Sequence, residues 1–337
     1  MVRYLPDNQL RLGWLRVDQY HKAGYQGQGM KFLVVDADTD LSVVRYPKKV
    51  KPFKNSGNAD WRINYGYHGL MTIDILQQIA PEAEILFAGK QYPLSDAVRW
   101  GISNRADIAT VSMSYSSAPI TEVFSQQAID SGMLLLTSAG NEGDLPQDLK
   151  GYPGKMKTWV AVGAAFVHQD GTIERAGYSA TGSSLEVMGM SHLFVEFPEL
   201  SVPYVYTGTS CASPALAGCL ALIEQKEGDL TKDKVREMFT RDCVDMHTAG
   251  RDSMTGWGMF RMPPAEGGTV DMKTIVLTID SRVATVNGLP VHIDAAPVIM
   301  NQRAMLPISF IVKELKGMRL NDIVWDGLKR TVTITGE

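Results

Sequence analysis

The sequence has few of the features that mark disulfide-rich, membrane or metal-bound proteins. It contains 3 cysteines in 337 residues: Cys211, Cys219 and Cys243. An odd and sparse set argues against a disulfide framework and favours a reducing compartment. Cys211 and Cys219 lie on one predicted helix, about 12 Å apart along its axis. An intact helix therefore keeps them too far apart for a disulfide.

Long apolar runs, excess positive charge and clustered histidines are also missing. No apolar stretch approaches the ~20 residues that span a bilayer, so no transmembrane segment is predicted. The formal net charge of -4 argues against a nucleic-acid partner. The 6 histidines are scattered without zinc-site spacing, and no metal site is predicted. The first residues lack the apolar core of a secretion signal, which predicts a cytoplasmic protein, or a secreted or particle-associated one whose leader lies outside this sequence.

Short apolar runs alternate with amphipathic segments through most of the chain. The apolar runs predict buried strands at residues 30–35, 83–88, 108–114, 133–137 and 159–165. Apolar residues at helical spacing predict helices between them, at residues 68–79, 95–106 and 121–131. This alternation indicates an α/β fold with a doubly wound, mostly parallel sheet. The polar segment 45–66, which contains proline and glycine, predicts a long loop.

Small residues surround one serine in the segment Thr207-Gly208-Thr209-Ser210-Cys211-Ala212-Ser213-Pro214, and an apolar run follows at 215–223. The pattern predicts a tight turn that opens a buried helix, with Pro214 in the first helical turn. The Ser210 hydroxyl would lie at the helix N-terminus, where backbone N–H groups favour developing negative charge. To act as a nucleophile, this serine needs a base and oxyanion donors.

Three further polar residues occupy positions that suit such partners. Asp36 follows the first strand, His68 opens a helix, and Asn141 lies in a glycine-flanked turn after the strand at 133–137. Carboxyl ends of parallel strands form the binding edge of α/β sheets. Taken singly, each residue has a plainer interpretation: a turn aspartate, a capping or packed histidine, and a turn asparagine.

Together, in the order Asp, His, Asn and Ser, these segments resemble the subtilases, the subtilisin-like serine proteases. The resemblance covers about residues 10–262 and is carried by Val34-Val35-Asp36, His68-Gly69, Ala139-Gly140-Asn141-Glu142-Gly143 and Gly208-Thr209-Ser210-Cys211-Ala212-Ser213-Pro214. It implies a serine endopeptidase with an Asp36, His68 and Ser210 triad, an acyl-enzyme intermediate and a protein or peptide substrate. The oxyanion donors would be Asn141 and the Ser210 backbone N–H. The substrate cleft would include Ser114, Tyr115, Ser116, Ala139 and Gly140.

Three segments depart from the usual family pattern. Asp36-Ala37-Asp38 replaces Asp-Ser/Thr-Gly, Gly69-Leu70-Met71 replaces Gly-Thr-His, and Ser114-Tyr115-Ser116-Ser117 replaces Ser-Leu-Gly-Gly. Loss of glycine where an extended substrate docks predicts restricted specificity. A pseudo-protease that binds peptides or partners is the main alternative, and an esterase or transferase on the same scaffold is another. No cofactor is expected, and a structural calcium ion is compatible with the family but is not located by any segment.

A change of composition divides the chain. Pro263-Pro264-Ala265-Glu266-Gly267-Gly268 predicts a linker, with a protease domain at 1–262, a linker at 263–273 and an α+β module at 274–337. The module resembles the copper amine oxidase N-terminal-like (stalk) domain through Val286-Asn287-Gly288, residues 293–297 and 303–311, and Trp325-Asp326-Gly327. Asn287-Gly288 and Asp326-Gly327 predict hairpin turns, and residues 307–315 a helix. No copper ligand set is present, so docking to a partner or particle is the expected role. This resemblance indicates a Gram-positive bacterium, or a phage of one, as the source.

Overall fold

The chain forms two compact units, Met1–Glu266 and Gly267–Glu337. The structure, a computed structural model, describes residues 5–60, 62–63, 65–144, 148–149, 151–197, 202–228, 230–265, 273–286, 289–300, 303–307, 311, 320–326 and 329–336. The division lies inside the predicted linker, of which residues 266–272 are outside the described ranges.

The first unit alternates strands and helices along the chain. Its described helices are α1 (Gln9–Trp14), α2 (Val17–Lys22), α3 (Gly66–Ile79), α4 (Leu94–Ser103), α5 (Glu122–Asp130), α6 (Thr209–Glu227) and α7 (Lys232–Asp242). Its described strands are β1 (Lys31–Asp36), β2 (Val50–Pro52), β3 (Glu84–Gly89), β4 (Ile108–Val111), β5 (Leu134–Ser138), β6 (Val160–Val167), β7 (Ile173–Arg175), β8 (Leu185–Met190), β9 (Leu193–Val195), β10 (Tyr204–Tyr206), β11 (Cys243–Val244) and β12 (Met259–Phe260).

Ten of these strands form one sheet, in the order β11-β12-β8-β6-β5-β4-β1-β3-β2, with β7 beside β6. The strands from β12 to β2 along this order run parallel to their neighbours, whereas β7 and β11 run antiparallel. The prediction of a mostly parallel α/β sheet is therefore confirmed. Within the described ranges, no helix is both long enough and apolar enough to cross a membrane.

Helices cover both faces of the sheet. In β1, Phe32 and Val34 pack into one hydrophobic cluster with α3 and α6, whereas Leu33 and Val35 pack into another with α4 and α5. Successive side chains of a strand point to opposite faces, so a continuous apolar run suits a strand that is buried on both sides. The helix α6 is buried from Thr209 through Ile223, which makes it the central helix of this unit.

Three local features differ from the expectations. The segment 45–66 is not wholly a loop, because β2 lies within it and extends the sheet beside β3. Strands β7 to β12 were not predicted. The expectation that Pro214 lies in the first turn of its helix is wrong, since α6 begins at Thr209 and Pro214 is in its second turn.

The second unit is built mainly from antiparallel strands. Its described strands are β13 (Lys273–Thr278), β14 (Val283–Val286), β15 (Leu289–His292), β16 (Val298–Met300), β17 (Arg303–Met305), β18 (Leu320–Asp326) and β19 (Thr331–Gly336). Five of them form a sheet in the order β15-β14-β13-β19-β18, and β16 pairs with β17. Ile275, Leu277 and Ile334 are among the residues of its own hydrophobic core. The Asn287-Gly288 turn, Gly327 and most of the predicted helix at 307–315 lie outside the described residues.

Candidate active site

The carboxyl ends of β1 and β4 border a crevice where the strand order of the sheet reverses. β1 lies between β3 and β4, so the chain builds the sheet on one side of β1 first and on the other side afterwards. Such switch points leave a crevice at the carboxyl ends of the strands. β1 ends at Asp36, and β4 ends directly before Ser112. Both side chains therefore lie at the edge where α/β sheets build their sites.

Gly69 allows α3 to lie close enough to β1 for His68 to reach Asp36. His68 lies in the first turn of α3. A Cβ atom built on Gly69 would lie 2.2 Å from the carbonyl oxygen of Ala37, far inside van der Waals contact. A residue without a side chain permits this close approach of two backbones.

His68 and Asp36 form a short, partly buried pair. The distance between His68 Nδ1 and Asp36 Oδ1 is 2.5 Å, and the His68 side chain is 23% exposed while that of Asp36 is fully buried. Asp36 also accepts hydrogen bonds from the Ala37 N–H at 2.6 Å and from the Thr72 hydroxyl at 2.8 Å. Burial by itself would lower the pKa of His68, and so would the charge of Lys90. The charge and hydrogen bond of Asp36 outweigh both and raise the pKa.

Ser210 lies in the first turn of α6, beside Asn141. Gly208, which precedes the helix, has a φ of 93°, a left-handed conformation that glycine adopts without strain. The Asn141 side-chain oxygen accepts from the backbone N–H and the hydroxyl of Thr209, at 2.9 and 3.1 Å. The Asn141 oxygen is therefore fixed on the helix N-terminus, which leaves its NH₂ group to donate towards the crevice.

The backbone carbonyl of Ser210 is bound by a side chain rather than by its own helix. Pro214, four residues later, has no N–H to donate to this carbonyl. The Ser112 hydroxyl donates to it instead, at 3.1 Å. The Ser210 hydroxyl in turn donates to the Ser112 carbonyl, at 3.3 Å. Ser112 therefore fixes the start of α6 against the end of β4.

Thr72 and Tyr206, which the sequence motifs do not indicate, complete the surroundings of His68. The Tyr206 hydroxyl lies 3.3 Å from His68 Nε2 and 3.1 Å from the Thr72 hydroxyl. The Tyr206 and His68 rings pack edge to face, with centroids 5.6 Å apart. Among the described residues, His68 Nε2 makes no hydrogen bond to Ser210. One signal for Thr72 was present, because a residue four positions after His68 shares its face of the helix.

Two cavities flank His68 and Ser210. One has a volume of about 400 Å³ and is lined also by Lys90 and Glu142. The other has a volume of about 340 Å³ and is lined also by Tyr206. Within the described parts of the chain, no group of three or more His, Cys, Asp and Glu side chains is arranged to hold a metal ion.

The predicted cleft segment 114–116 follows β4, with an isolated β-bridge at Tyr115 and a bend at Ser116. Tyr115 exchanges two backbone hydrogen bonds with Tyr152, each 3.0 Å long. The backbone groups of Ser114 and Ser116 on either side of it make no backbone hydrogen bond to any described residue. The residues of the predicted cleft divide between those that line the larger cavity, Ser114 and Gly140, and those that line neither cavity, Tyr115, Ser116 and Ala139.

Cys211 follows Ser210 but faces the protein core. Its side chain is fully buried, and its Sγ lies 3.9 Å from the Met190 carbonyl. Burial raises the pKa of the Cys211 thiol to about 12. A neutral, inaccessible thiol is unreactive, so Cys211 packs as a small apolar side chain.

Comparisons with known proteins match both units. Residues 67–258 match the subtilase family, and residues 267–334 match the copper amine oxidase N-terminal domain. The chain is 29% identical to the minor extracellular protease Epr of Bacillus subtilis, over 75% of this chain and 41% of that protein. It is 30% identical to subtilisin E of the same species, over 66% of this chain and 62% of that protein. The matched regions thus span less than two thirds of the length of these relatives.

Solved structures share the fold. A lanthipeptide protease has a TM-score of 0.58 at 17% identity, over 76% of this chain and 95% of that one. Sphericase has a TM-score of 0.57 at 22% identity, over 71% of this chain and 93% of that one. At these identities the likeness concerns the fold alone. The subtilase match covers more than half of the sequence, and on that ground this chain belongs to the subtilase family.

Proposed function

We propose that the chain is a serine endopeptidase that hydrolyses peptide bonds through an acyl-enzyme intermediate. Ser210 attacks the peptide carbonyl, and His68 accepts the serine proton and returns it to the leaving amine. Asp36 orients His68 and stabilises the imidazolium. The observation that carries the proposal is the 2.5 Å contact between His68 and Asp36 in the crevice that Ser210 borders. Membership of the subtilase family and the named proteases among the relatives support it.

The oxyanion donors of this proposal are the Asn141 amide and the Ser210 backbone N–H. The Asn141 oxygen accepts hydrogen bonds from Thr209, and this supports a donor role for the NH₂ group of the same side chain. We expect Asn141→Ala to reduce turnover by roughly 10²–10³-fold with little change in substrate affinity. Steady-state kinetics on a peptide substrate measure both quantities. A large loss of affinity with unchanged turnover would contradict this role.

The substrate would bind as an added strand along residues 114–116. The backbone groups of Ser114 and Ser116 that Tyr152 leaves unused can pair with an extended peptide. Side chains at Ser116 and Ser117, where the family usually has glycine, narrow this edge. We therefore infer a restricted range of substrates. A peptide library compared with a panel of esters tests both the specificity and the choice of peptide over ester bonds.

Labelling with a fluorophosphonate probe tests the proposed nucleophile. Wild type should be labelled, while Ser210→Ala and His68→Ala should not. Ser213→Ala is a matched control, because this serine lies on the same helix with its hydroxyl 2.9 Å from that of Thr110 in the core. The control should be labelled like wild type. Labelling that persists in Ser210→Ala would assign the reaction to another residue.

A pseudo-protease is the second candidate function. The observation that favours it is the contact between His68 Nε2 and Tyr206, in place of a hydrogen bond to Ser210. A protein of this kind would bind peptides along residues 114–116 without cleaving them. It predicts no fluorophosphonate labelling of wild type, with peptide affinity unchanged in Ser210→Ala by calorimetric titration.

A further inference from the structure

The proposed base, His68, closes a ring of hydrogen bonds with three side chains: Asp36, Tyr206 and Thr72. His68 Nδ1 lies 2.5 Å from Asp36 Oδ1, and the Thr72 hydroxyl donates to Asp36 Oδ2 at 2.8 Å. The Tyr206 hydroxyl closes the ring, at 3.1 Å from the Thr72 hydroxyl and 3.3 Å from His68 Nε2.

The number of protons in this ring depends on the state of His68. A carboxylate only accepts, so both His68 Nδ1 and Thr72 donate to Asp36. Because Thr72 has a single hydroxyl proton, its contact with Tyr206 requires Tyr206 to donate. The Tyr206 oxygen then faces His68 Nε2 as an acceptor. All four hydrogen bonds form together only when Nε2 also carries a proton, that is, when His68 is the imidazolium.

Neutral His68 leaves the ring one proton short. Its Nε2 then presents a lone pair, and the single Tyr206 proton faces two acceptors, Nε2 and the Thr72 oxygen. One contact must open. The cost is appreciable because Thr72 is fully buried and Tyr206 is only 3% exposed, so water does not readily replace a lost partner.

The other groups that act on His68 do not replace this ring. Asp36, at the end of β1, favours the charged form of His68, and Lys90, directly after β3, disfavours it. Burial and the charge of Asp36 raise the pKa of Tyr206 well above its ordinary value, so the hydroxyl of this β10 residue stays protonated. Tyr206, His68 and Ser210 line one cavity, so the Tyr206 residue is near both the proposed base and the proposed nucleophile.

We propose that Tyr206, supported by Thr72, is a positioning residue that holds His68 as the imidazolium with Nε2 directed away from Ser210. When the Nε2 proton passes to bulk water, this hold is released and Nε2 becomes available to Ser210. The inference rests on the proposed role of His68 as general base. It extends that role, because Tyr206 would determine the pH at which His68 Nε2 loses its proton and can act as a base.

A histidine titration in the full chain tests the hold without any substrate. Side-chain NMR of wild type and Tyr206→Phe follows His68, and His68→Ala assigns its signals. Removing the hydroxyl should lower the pKa of His68 by about one unit, a tenfold loss of proton affinity. Tyr204→Phe is the matched control, because it makes the same change at an exposed position of the same strand. Its titration midpoint should equal that of wild type.

An unchanged His68 midpoint in Tyr206→Phe, or an equal shift in Tyr204→Phe, would overturn the proposal. If Tyr206→Phe does not fold by circular dichroism, Tyr206→Met provides the same comparison. The pH midpoint of fluorophosphonate labelling should move down with the titration midpoint. A wild type that is not labelled while Tyr206→Phe still shifts His68 would refute the proposed function alone. A labelled wild type with an unshifted variant would refute the Tyr206 role alone.

Discussion

At the scale of single residues, the pair of His68 and Asp36 couples protonation to folding. The ordinary pKa of histidine is 6.5, and pairing raises it in the folded chain. The folded state therefore binds this proton more tightly than the unfolded state. The resulting stabilisation is fully present below the unfolded pKa, and it is lost as pH rises through the folded pKa.

This pH dependence predicts a measurable difference in stability between wild type and His68→Ala. We expect His68→Ala to lower Tm more at about pH 5 than at about pH 9, because the pair contributes only in the acidic range. Scanning calorimetry of wild type and variant at both pH values measures the difference. A Tm decrease of the same size at both values would mean that the substitution acts through packing rather than through the charge of His68.

The residues of the candidate site differ in how well they could be identified from the sequence. Asp36, His68, Asn141 and Ser210 each lie in a short segment with its own signal, such as a strand end or a glycine-flanked turn. Their proposed roles stay predictions that the labelling and kinetic experiments test. Tyr206 carries no such signal, because its contact with Thr72 joins residues 134 positions apart in the chain. Thr72 has only its place four residues after His68 on the same helix face. Thr72 and Tyr206 are brought together by the tertiary fold, which a local sequence pattern does not encode.

At the scale of elements, the approach of α3 to β1 depends on one missing side chain. A Cβ at Gly69 would meet the Ala37 carbonyl at 2.2 Å, so Gly69→Ala must displace the start of α3. A displacement near 1 Å at a reacting group costs on the order of 10²-fold in rate. We expect a loss of that order in the rate of fluorophosphonate labelling.

Gly13→Ala is the control for this substitution. Gly13 lies in α1 with open space where its Cβ would be, so alanine should leave the labelling rate unchanged and increase stability by about 0.5–1 kcal/mol. Equal labelling rates in Gly69→Ala and Gly13→Ala would show that the close approach of α3 does not position His68.

The start of α6 allows a test of its substitute hydrogen bond. Ser112→Ala removes the donor to the buried Ser210 carbonyl and should cost about 1–3 kcal/mol of unfolding free energy. Pro214→Ala restores a backbone N–H four residues after Ser210. In the Ser112→Ala background it should recover part of the loss, so the two changes should not be additive. Urea unfolding of the four proteins measures the coupling, and strict additivity would contradict this account.

Elements were predictable where their patterns are long and strong. Strands β1, β3, β4, β5 and β6 are buried apolar runs that periodicity detects. β2 has three residues of which only Val50 is buried, so its segment has the composition of a loop. The predicted start of α6 was wrong because proline usually lies in the first turn of a helix, whereas Pro214 lies in the second turn of α6. The sequence could not reveal that Ser112 replaces the missing donor, because that contact spans 98 positions.

At the scale of the whole molecule, each unit has its own hydrophobic core. Leu277 is fully buried in the core of the second unit, and its substitution by alanine should cost about 2–5 kcal/mol there. We expect Leu277→Ala in the full chain to lose amide protection in β13, β14 and β19 while Ser210 is labelled at the wild-type rate. Hydrogen exchange and probe labelling of one sample measure both. A slower labelling rate would show that the proposed active site depends on the second unit.

The architecture at this scale was the most predictable feature. Alternation of strand and helix patterns indicated the parallel sheet, and the Pro263-Pro264 segment marked the change of character before the antiparallel unit. Long-range order in the sheet, such as β12 beside β8, depends on pairings that no local pattern encodes. The strand order reverses at β1, which lies between β3 and β4, and this reversal creates the crevice at the candidate active site.

Two buried thiols in the central helix make it possible to measure how often that helix opens. Cys211 and Cys219 are free and lie inside α6. Alkylating reagents need an accessible thiolate, so these sulfurs react only during moments when α6 leaves the core. Cys243 lies outside α6 and is partly exposed, so only alkylation at Cys211 and Cys219 reports on that helix. The rate at which these two thiols become alkylated in the native protein therefore measures how often α6 opens. Each such modification marks one event in which the helix that carries the proposed nucleophile left the core.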